Sequence, residues 1–294
     1  MMKHIYGLIG HPVRHSLSPA MQNAAFQALG IDADYLLYDV EPERLETFLN
    51  NAKTNNICGL NVTIPHKIHA KEYLERKGTL DENARRLGAV NTIKIAEDGT
   101  LCGYNTDGPG FYRSLIEDLK FEPEGKSVFV MGAGGAARAC VMYLGNGPKK
   151  IFVSDIDKTK TEDLQAHYKK YFDANRLVIT EEADFKKDLK VCELLINATP
   201  VGMNESDPSP VDPSLLHYGL SIYDLVYNRP ATELVRIANS LKLHAVTGVG
   251  MLLYQGAIAF EIWTGANAPV NIMRRALKDA LKSQGTGDRG QGTV

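Results

Sequence analysis

Apolar positions along this chain change their spacing repeatedly, and each change marks an element. His4 to Gly10 is an apolar run of strand length. Behind it, Met21, Ala24, Ala25, Ala28 and Leu29 recur at helical spacing after Ser18-Pro19. Serine suits an N-cap, proline suits a first turn, and Gly30 is placed to end the helix. Tyr35 to Val40 reads as a second strand and Glu43 to Lys53 as a second helix. Gly59 to Ile64 reads as a third strand, which Pro65 stops, opening a helix that runs to Arg76. Val90 to Ile95 and Leu101 to Tyr104 form a hairpin pattern around Asp98-Gly99.

From Gly110 the pattern becomes a regular alternation of strand and helix. Apolar runs fall at Ser127–Met131, Lys150–Ser154, Arg176–Thr180, Glu193–Ala198, Ser221–Val226 and His244–Thr247. Continuous apolar runs suit strands buried on both faces, so this part predicts a doubly wound parallel α/β sheet. Asn204 to Pro213, with three prolines, reads as a surface loop. Two helices follow, Met251–Thr264 and Pro269–Lys282, with no strand between them, and are expected to return to the first domain. The expected organisation is an N-terminal α/β domain, 1–109, completed by 249–282, and a Rossmann-type α/β domain, 110–248. The tail 283–294, rich in Gly, Thr and Gln, is expected to be disordered.

Bulk properties add exclusions. A length of 294 residues suits two domains, and a hydrophobic fraction of 44% with 23% charged residues is ordinary for a soluble protein. The formal net charge of -2 gives no reason to expect nucleic acid or an anionic membrane as partner. No apolar run reaches membrane-spanning length, and the start shows no signal-peptide core. Cys58, Cys102, Cys140 and Cys192 lack CxxC spacing and read as reduced, buried thiols. These features point to the cytoplasm.

The run Gly132-Ala133-Gly134-Gly135-Ala136-Ala137-Arg138 lies between an apolar run and a helical one. Such a turn lets backbone N–H groups approach a phosphate at the positive end of the helix dipole, although glycine turns also serve packing alone. The next strand ends in Asp155, close to the spacing expected of an acid that binds an adenosine ribose. The pair points to a dinucleotide.

The first domain collects polar residues at the ends of strands: Ser16 and Ser18, Asn61 and Thr63 on one strand face, Lys67, Asn91-Thr92, and Asn105-Thr106-Asp107. Each has a bland reading as cap, solvent face or surface charge. Their common placement at element ends is what points to a cleft. His11, His15 and His66 lie near these residues without metal-ligand spacing, so no metal is expected.

Six ordered runs resemble the shikimate and quinate/shikimate dehydrogenases: His15-Ser16-Leu17-Ser18-Pro19, Asn61-Val62-Thr63-Ile64-Pro65-His66-Lys67, Gly88 to Thr92, Tyr104 to Gly108, Asn197 to Met203, and Gly250 to Ala257. The resemblance spans roughly 5–282. It implies Lys67 and Asp107 as the catalytic pair beside the hydroxyl that is oxidised, where a proton acceptor is required. The proton would pass through Lys67, Asp107 or a relay of both. It further implies that Ser16 and Ser18 hold a substrate carboxylate, with Tyr35 contributing in the quinate-using branch. Asn61, Thr63, Asn91, Asp107 and Gln255 would bind ring hydroxyls, and Tyr227 would line the same cleft. The cofactor would meet Gly132, Ala133, Gly134, Gly135, Ala136, Asp155, Thr199, Val226, Gly248 and Met251.

One departure bears on the cofactor. NADP-using members typically place Asn-Arg-Thr where this chain has Ser154-Asp155-Ile156-Asp157. Asp155 can accept both ribose hydroxyls of NAD and would repel a 2′-phosphate, while Lys158 and Lys160 are near enough in sequence to soften that repulsion. NAD is therefore expected over NADP. Shikimate is the expected substrate, with quinate as a second, and a homodimer is compatible with the resemblance. Three alternatives stay open: a quinate-preferring member, a binding protein that has lost turnover, and another dinucleotide enzyme such as a folate-pathway dehydrogenase.

Overall fold

A computed structural model describes residues 3–287, with side chains through Gln284. The chain divides into two compact units. One holds the residues through Thr106 together with those from Leu253 onward, and the other is Asp107–Leu252.

The first unit is built on a six-stranded mixed sheet of β1 (His4–Gly10), β2 (Ala33–Asp39), β3 (Ile57–Val62), β4 (Thr79–Leu80), β5 (Thr92–Ile95) and β6 (Leu101–Tyr104), in the order β2-β1-β3-β5-β6-β4. β1 runs parallel to β2 and β3, whereas β5 is antiparallel to both β3 and β6. The helices formed within the first 106 residues are α1 (Ser18–Ala28), α2 (Leu45–Asn50), α3 (Lys67–Lys77) and α4 (Glu82–Leu87). β4 and α4 were not expected from the apolar spacing. Asp81 nonetheless caps α4 by accepting from Ala84 N at 2.7 Å, and Gly88 closes it with φ of 73°.

Three expected boundaries differ. Leu17, rather than Ser18, holds the cap position of α1, with no side-chain cap, so Ser18 begins the helix proper. Pro42–Arg44 form a 3-10 turn ahead of α2, and Pro65 precedes α3 by two residues, since His66 N bonds Thr63 O to make an intervening turn.

The closing helices are α10 (Val249–Thr264) and α11 (Val270–Gly287), which packs on α1. Gln22 Nε2 donates to Gly256 O at 2.9 Å, and Trp263 Nε1 donates to Ile93 O at 3.0 Å. Gly59 is required here, because a Cβ would collide with the Trp263 indole. Tyr6 stacks on Phe26 at 5.0 Å, and Phe260 and Trp263 close the aromatic group at 5.2 Å from Phe26 and 5.3 Å from Tyr6. The segment expected to be a disordered tail is helical through Gly287: Ser283 Oγ bonds Asp279 O, and Gln284 Nε2 bonds His15 O at 3.2 Å. Residues 288–294 lie outside the described residues.

The second unit is a doubly wound sheet of six parallel strands: β7 (Ser127–Met131), β8 (Lys150–Ser154), β9 (Leu177–Ile179), β10 (Leu194–Asn197), β11 (Ser221–Asp224) and β12 (Ala245–Thr247). Their order is β12-β11-β10-β7-β8-β9. Its helices are α5 (Asp107–Glu117), α6 (Gly135–Leu144), α7 (Lys158–Tyr168), α8 (Phe185–Leu189) and α9 (Glu233–Ser240). The central strands carry Val128, Phe129, Val130, Leu194, Leu195 and Ile196, all fully buried, as strands covered on both faces require. The winding reverses between β7 and β10, and in such sheets ligands bind outside the carboxyl ends of the strands at that point.

Candidate active site

The turn after β7 lies at the reversal. Gly132 takes φ of +95°, and a Cβ there would come within 2.9 Å of Ala198 O, so only glycine fits between the two strand ends. Gly134 and Gly135 are in the opposite situation, since a Cβ at either would meet nothing within 4 Å. Gly134 is the cap of α6 and no side chain bonds the first N–H groups of that helix. Open space over an uncapped helix N-terminus fits a pyrophosphate. Ala133 is buried beneath the turn, and Ala136 is exposed in the first turn of α6.

Asp155, one residue past β8, ties this turn in place. Its Oδ2 accepts from Ala133 N at 2.7 Å and its Oδ1 from Asp157 N at 2.9 Å. Each oxygen keeps a lone pair for a ribose hydroxyl. Ile156 beside it is fully exposed, and Asp157 caps α7 through Thr159 N at 3.1 Å. The two lysines in this stretch are engaged: Lys158 pairs with Glu181 at 2.6 Å and Lys160 with Asp157 at 3.6 Å.

The turns after β10 and β11 are joined by a buried carboxylate. Asp224 accepts from Asn197 Nδ2 at 2.9 Å, Thr232 Oγ1 at 2.6 Å and Val226 N at 3.1 Å, and burial raises its pKa above the ordinary carboxylate range. Asn197 Oδ1 in turn holds Thr199 through its N and its Oγ1. Val226 is buried and its carbonyl accepts from Gly248 N at 3.0 Å. A Cβ at Gly248 would strike Leu225 O. Thr199, Val226 and Gly248 thus all lie just beyond the carboxyl ends of their strands, with Met251 half-buried at the start of α10. Tyr227 follows Val226, exposed, and belongs to this unit.

In the first unit the polar residues form a buried chain. Tyr35 Oη donates to Asn61 Oδ1 at 2.7 Å. Asn61 Nδ2 donates to Thr92 Oγ1 at 3.1 Å and Asn91 O at 3.3 Å. Asn91 Oδ1 accepts from Thr106 N at 2.8 Å, and Asn91 Nδ2 donates to Thr106 Oγ1 at 3.0 Å. Ser16 Oγ accepts from Ser18 N at 3.2 Å. Ser16, Ser18, Asn61 and Asn91 are thereby brought to the ends of β1, β3 and β5. Asn105, Thr106 and Thr92 are buried in the same group. Their signal was the Asn-Thr-Asp run and the Thr after Asn91, and Thr92 and Thr106 carry as much of the network as the residues singled out.

Thr63 lies just past β3, half-buried, with its N bonded to Ile9 O at 2.9 Å. Lys67 opens α3 and its carbonyl accepts from Val90 N. Asp107 opens α5 in the second unit, directly after Thr106 in the chain. Gln255 is nearly buried on α10. His11 and His15 are exposed, whereas His66 is fully buried with Nε2 donating to Val40 O at 2.7 Å, and burial lowers its pKa. Among the described residues no three His, Cys, Asp or Glu side chains group in a way that could hold a metal ion, and no helix is long and apolar enough to cross a membrane.

A parallel sheet of this strand order with an open glycine turn at its winding reversal has the form of a dinucleotide-binding domain, and the relatives this chain resembles are NAD(P)-dependent oxidoreductases. Known proteins fix the family. Residues 8–93 match the shikimate dehydrogenase substrate binding domain and residues 248–278 the shikimate 5'-dehydrogenase C-terminal domain. A shikimate dehydrogenase (NADP(+)) of Methanopyrus kandleri is 45% identical over 282 residues, covering 95% of this chain and 96% of that one. The chain belongs to the shikimate dehydrogenase family. A shikimate 5-dehydrogenase from Listeria monocytogenes, solved with shikimate and NAD, superposes with a TM-score of 0.85 at 33% identity, over 94% of this chain and 96% of that one. Quinate dehydrogenase from Corynebacterium glutamicum, solved with NAD, gives 0.86 at 29% identity, over 94% and 99%.

Proposed function

We propose that this protein reversibly oxidises the shikimate hydroxyl to give 3-dehydroshikimate, with NAD preferred over NADP and quinate accepted as a second substrate. The observation that carries the cofactor choice is the stretch after β8. Asp155 faces the glycine turn, its neighbour Ile156 offers no cation, and Lys158 and Lys160 are already paired with carboxylates. A 2′-phosphate there would meet two acids and no free guanidinium or ammonium from this stretch, whereas a 2′-hydroxyl can donate to Asp155.

On the substrate side, the neutral Ser, Thr and Asn groups suit a ring bearing several hydroxyls, because each can donate or accept. Ser16 and Ser18 would take the carboxylate, Asn61, Thr63, Asn91 and Gln255 the hydroxyls, and Tyr227 would line the site. When bound at the glycine turn, the nicotinamide supplies the hydride acceptor. Lys67 and Asp107 supply what the protein must add, an acceptor for the hydroxyl proton as the C–H bond breaks. Thr199, Val226, Gly248 and Met251 would bind the cofactor beyond its pyrophosphate.

The test is a steady-state matrix of shikimate and quinate against NAD and NADP. The highest kcat/KM is expected for shikimate with NAD. A clear advantage for NADP would overturn the cofactor assignment, and no reduced cofactor in any of the four assays would overturn the activity.

A further inference from the structure

The last row of the second sheet breaks the apolar rule of its strands. β10 reads Leu194-Leu195-Ile196-Asn197 and β11 ends Ile222-Tyr223-Asp224, and the register sets Asn197 beside Asp224, with Thr247 of β12 next in the row. Asn197 and Asp224 are fully buried. Burying a carboxylate whose partners are all neutral is costly, and an apolar pair of similar volume would hold the two strands as well. The stability of the sheet therefore does not account for this pair.

What the pair does hold is a set of turns. Asp224 Oδ1 accepts from Asn197 Nδ2 at 2.9 Å and from Val226 N at 3.1 Å, while Oδ2 accepts from Thr232 Oγ1 at 2.6 Å. The Asn197 amide has one possible orientation, because Asp224 and Val201 O, which takes the same Nδ2 at 3.1 Å, both accept. Its oxygen must then face Thr199, where it accepts from N at 3.1 Å and Oγ1 at 2.7 Å. On the β11 side, fixing Val226 N also aims Val226 O, which accepts from Gly248 N at 3.0 Å beyond β12. One carboxylate thus governs the turns after β10, β11 and β12, all within the second unit.

We propose that Asp224 is a positioning residue: by holding these three turns at a fixed spacing, it aligns Thr199, Val226 and Gly248 for the nicotinamide half of the cofactor. This rests on the assignment of those three residues to the cofactor. The adenosine half belongs to the glycine turn and to Asp155, whose bonds to Ala133 N and Asp157 N involve none of them. The two halves of a dinucleotide therefore respond differently when Asp224 is changed. Alanine removes all three acceptors. Asparagine keeps two, since its amide oxygen can face Asn197 and Val226 while its NH2 donates to Thr232 Oγ1.

Calorimetric titration of NAD, and of ADP as a ligand that ends at the pyrophosphate, tests this in the parent, Asp224→Ala and Asp224→Asn. In Asp224→Ala the Kd for NAD is expected to rise about tenfold or more while that for ADP stays within about twofold. Asp224→Asn is expected to recover NAD binding to within about threefold of the parent. A merely structural role would weaken both ligands alike. Equal losses for NAD and ADP, unchanged NAD binding in Asp224→Ala, or no recovery in Asp224→Asn would each overturn the role. Thermal melts accompany the variants, and Asp224→Ser, which keeps one acceptor, replaces Asp224→Ala should that fail to fold. If the parent prefers NADP, then NADP and 2′-phospho-ADP take the places of NAD and ADP. If the parent binds neither dinucleotide, the cofactor assignment has failed; if it binds one and Asp224→Ala weakens both ligands equally, only the positioning role has.

Discussion

His66 has no access to water and keeps Nδ1 without a hydrogen-bond partner, so adding a proton there would bury a charge. Its folded pKa lies below the ordinary value, and the unfolded chain therefore takes up the proton first as pH falls. The contribution of neutral His66 is complete above about pH 6.5 and is lost as pH drops below that value toward the folded pKa. Urea unfolding between pH 7.5 and 5 is expected to show falling stability, with a shallower fall in His66→Gln. At Lys67 the expectation is kinetic: Lys67→Ala should lower kcat by roughly a hundredfold or more while KM moves little, since removal of a proton acceptor acts on the transition state. A rise in KM with kcat kept would make it a binding residue. At the ribose position, Ile156→Arg should lower the NAD-to-NADP ratio of kcat/KM by about tenfold, because a guanidinium adds a charge-assisted partner for a 2′-phosphate. An unchanged ratio would show that the 2′ position lies elsewhere.

Among the elements, the N-terminus of α6 separates stability from binding. A Gly134→Asp substitution supplies the missing cap and should raise helix stability by a few tenths of a kcal/mol. The same carboxylate would occupy the place of a phosphate and repel it, so the Kd for the dinucleotide should rise about tenfold or more. Calorimetry and cofactor titration on one variant read both effects. The strands of the second sheet were legible because burial on both faces leaves uninterrupted apolar runs, and Ser127–Met131 and Lys150–Ser154 have the bounds read from the sequence. β4 was not legible: two residues pair with β6, too few for a period, and their strand character comes from that neighbour. The candidate site was legible as residue types at strand ends. The direction of each hydrogen bond was not, because an Asn amide or a Ser hydroxyl takes its role from partners far away in the chain. Ser18 shows this: read as a helix cap, it instead begins the helix proper, and its backbone N donates to Ser16 Oγ at 3.2 Å.

At the scale of the whole molecule, the two units differ in how the chain closes them. Asp107–Leu252 is one continuous stretch, whereas the other unit needs residues from both ends of the sequence. A fragment covering 107–252 is expected to fold alone, with a cooperative melt. Residues 1–106 alone should not, because Gln22, Gly59 and the Tyr6–Phe26 pair are left facing water where α10 and α11 belong. Adding a peptide of residues 253–287 should restore cooperative melting, and the chain's one tryptophan, Trp263, gives a fluorescence shift when it seats over Gly59. A cooperative melt of 1–106 by itself would count against this.

That closure has a consequence during synthesis. A ribosome making about 5–20 residues per second releases α11 roughly ten to forty seconds after β6, so the first-made sheet waits while the later-made one can already form. Throughout that interval the nascent chain displays Tyr6, Phe26 and the groove at Gly59 to the surroundings. Because its last helices are part of its first domain, that domain keeps an apolar face uncovered until α11 emerges.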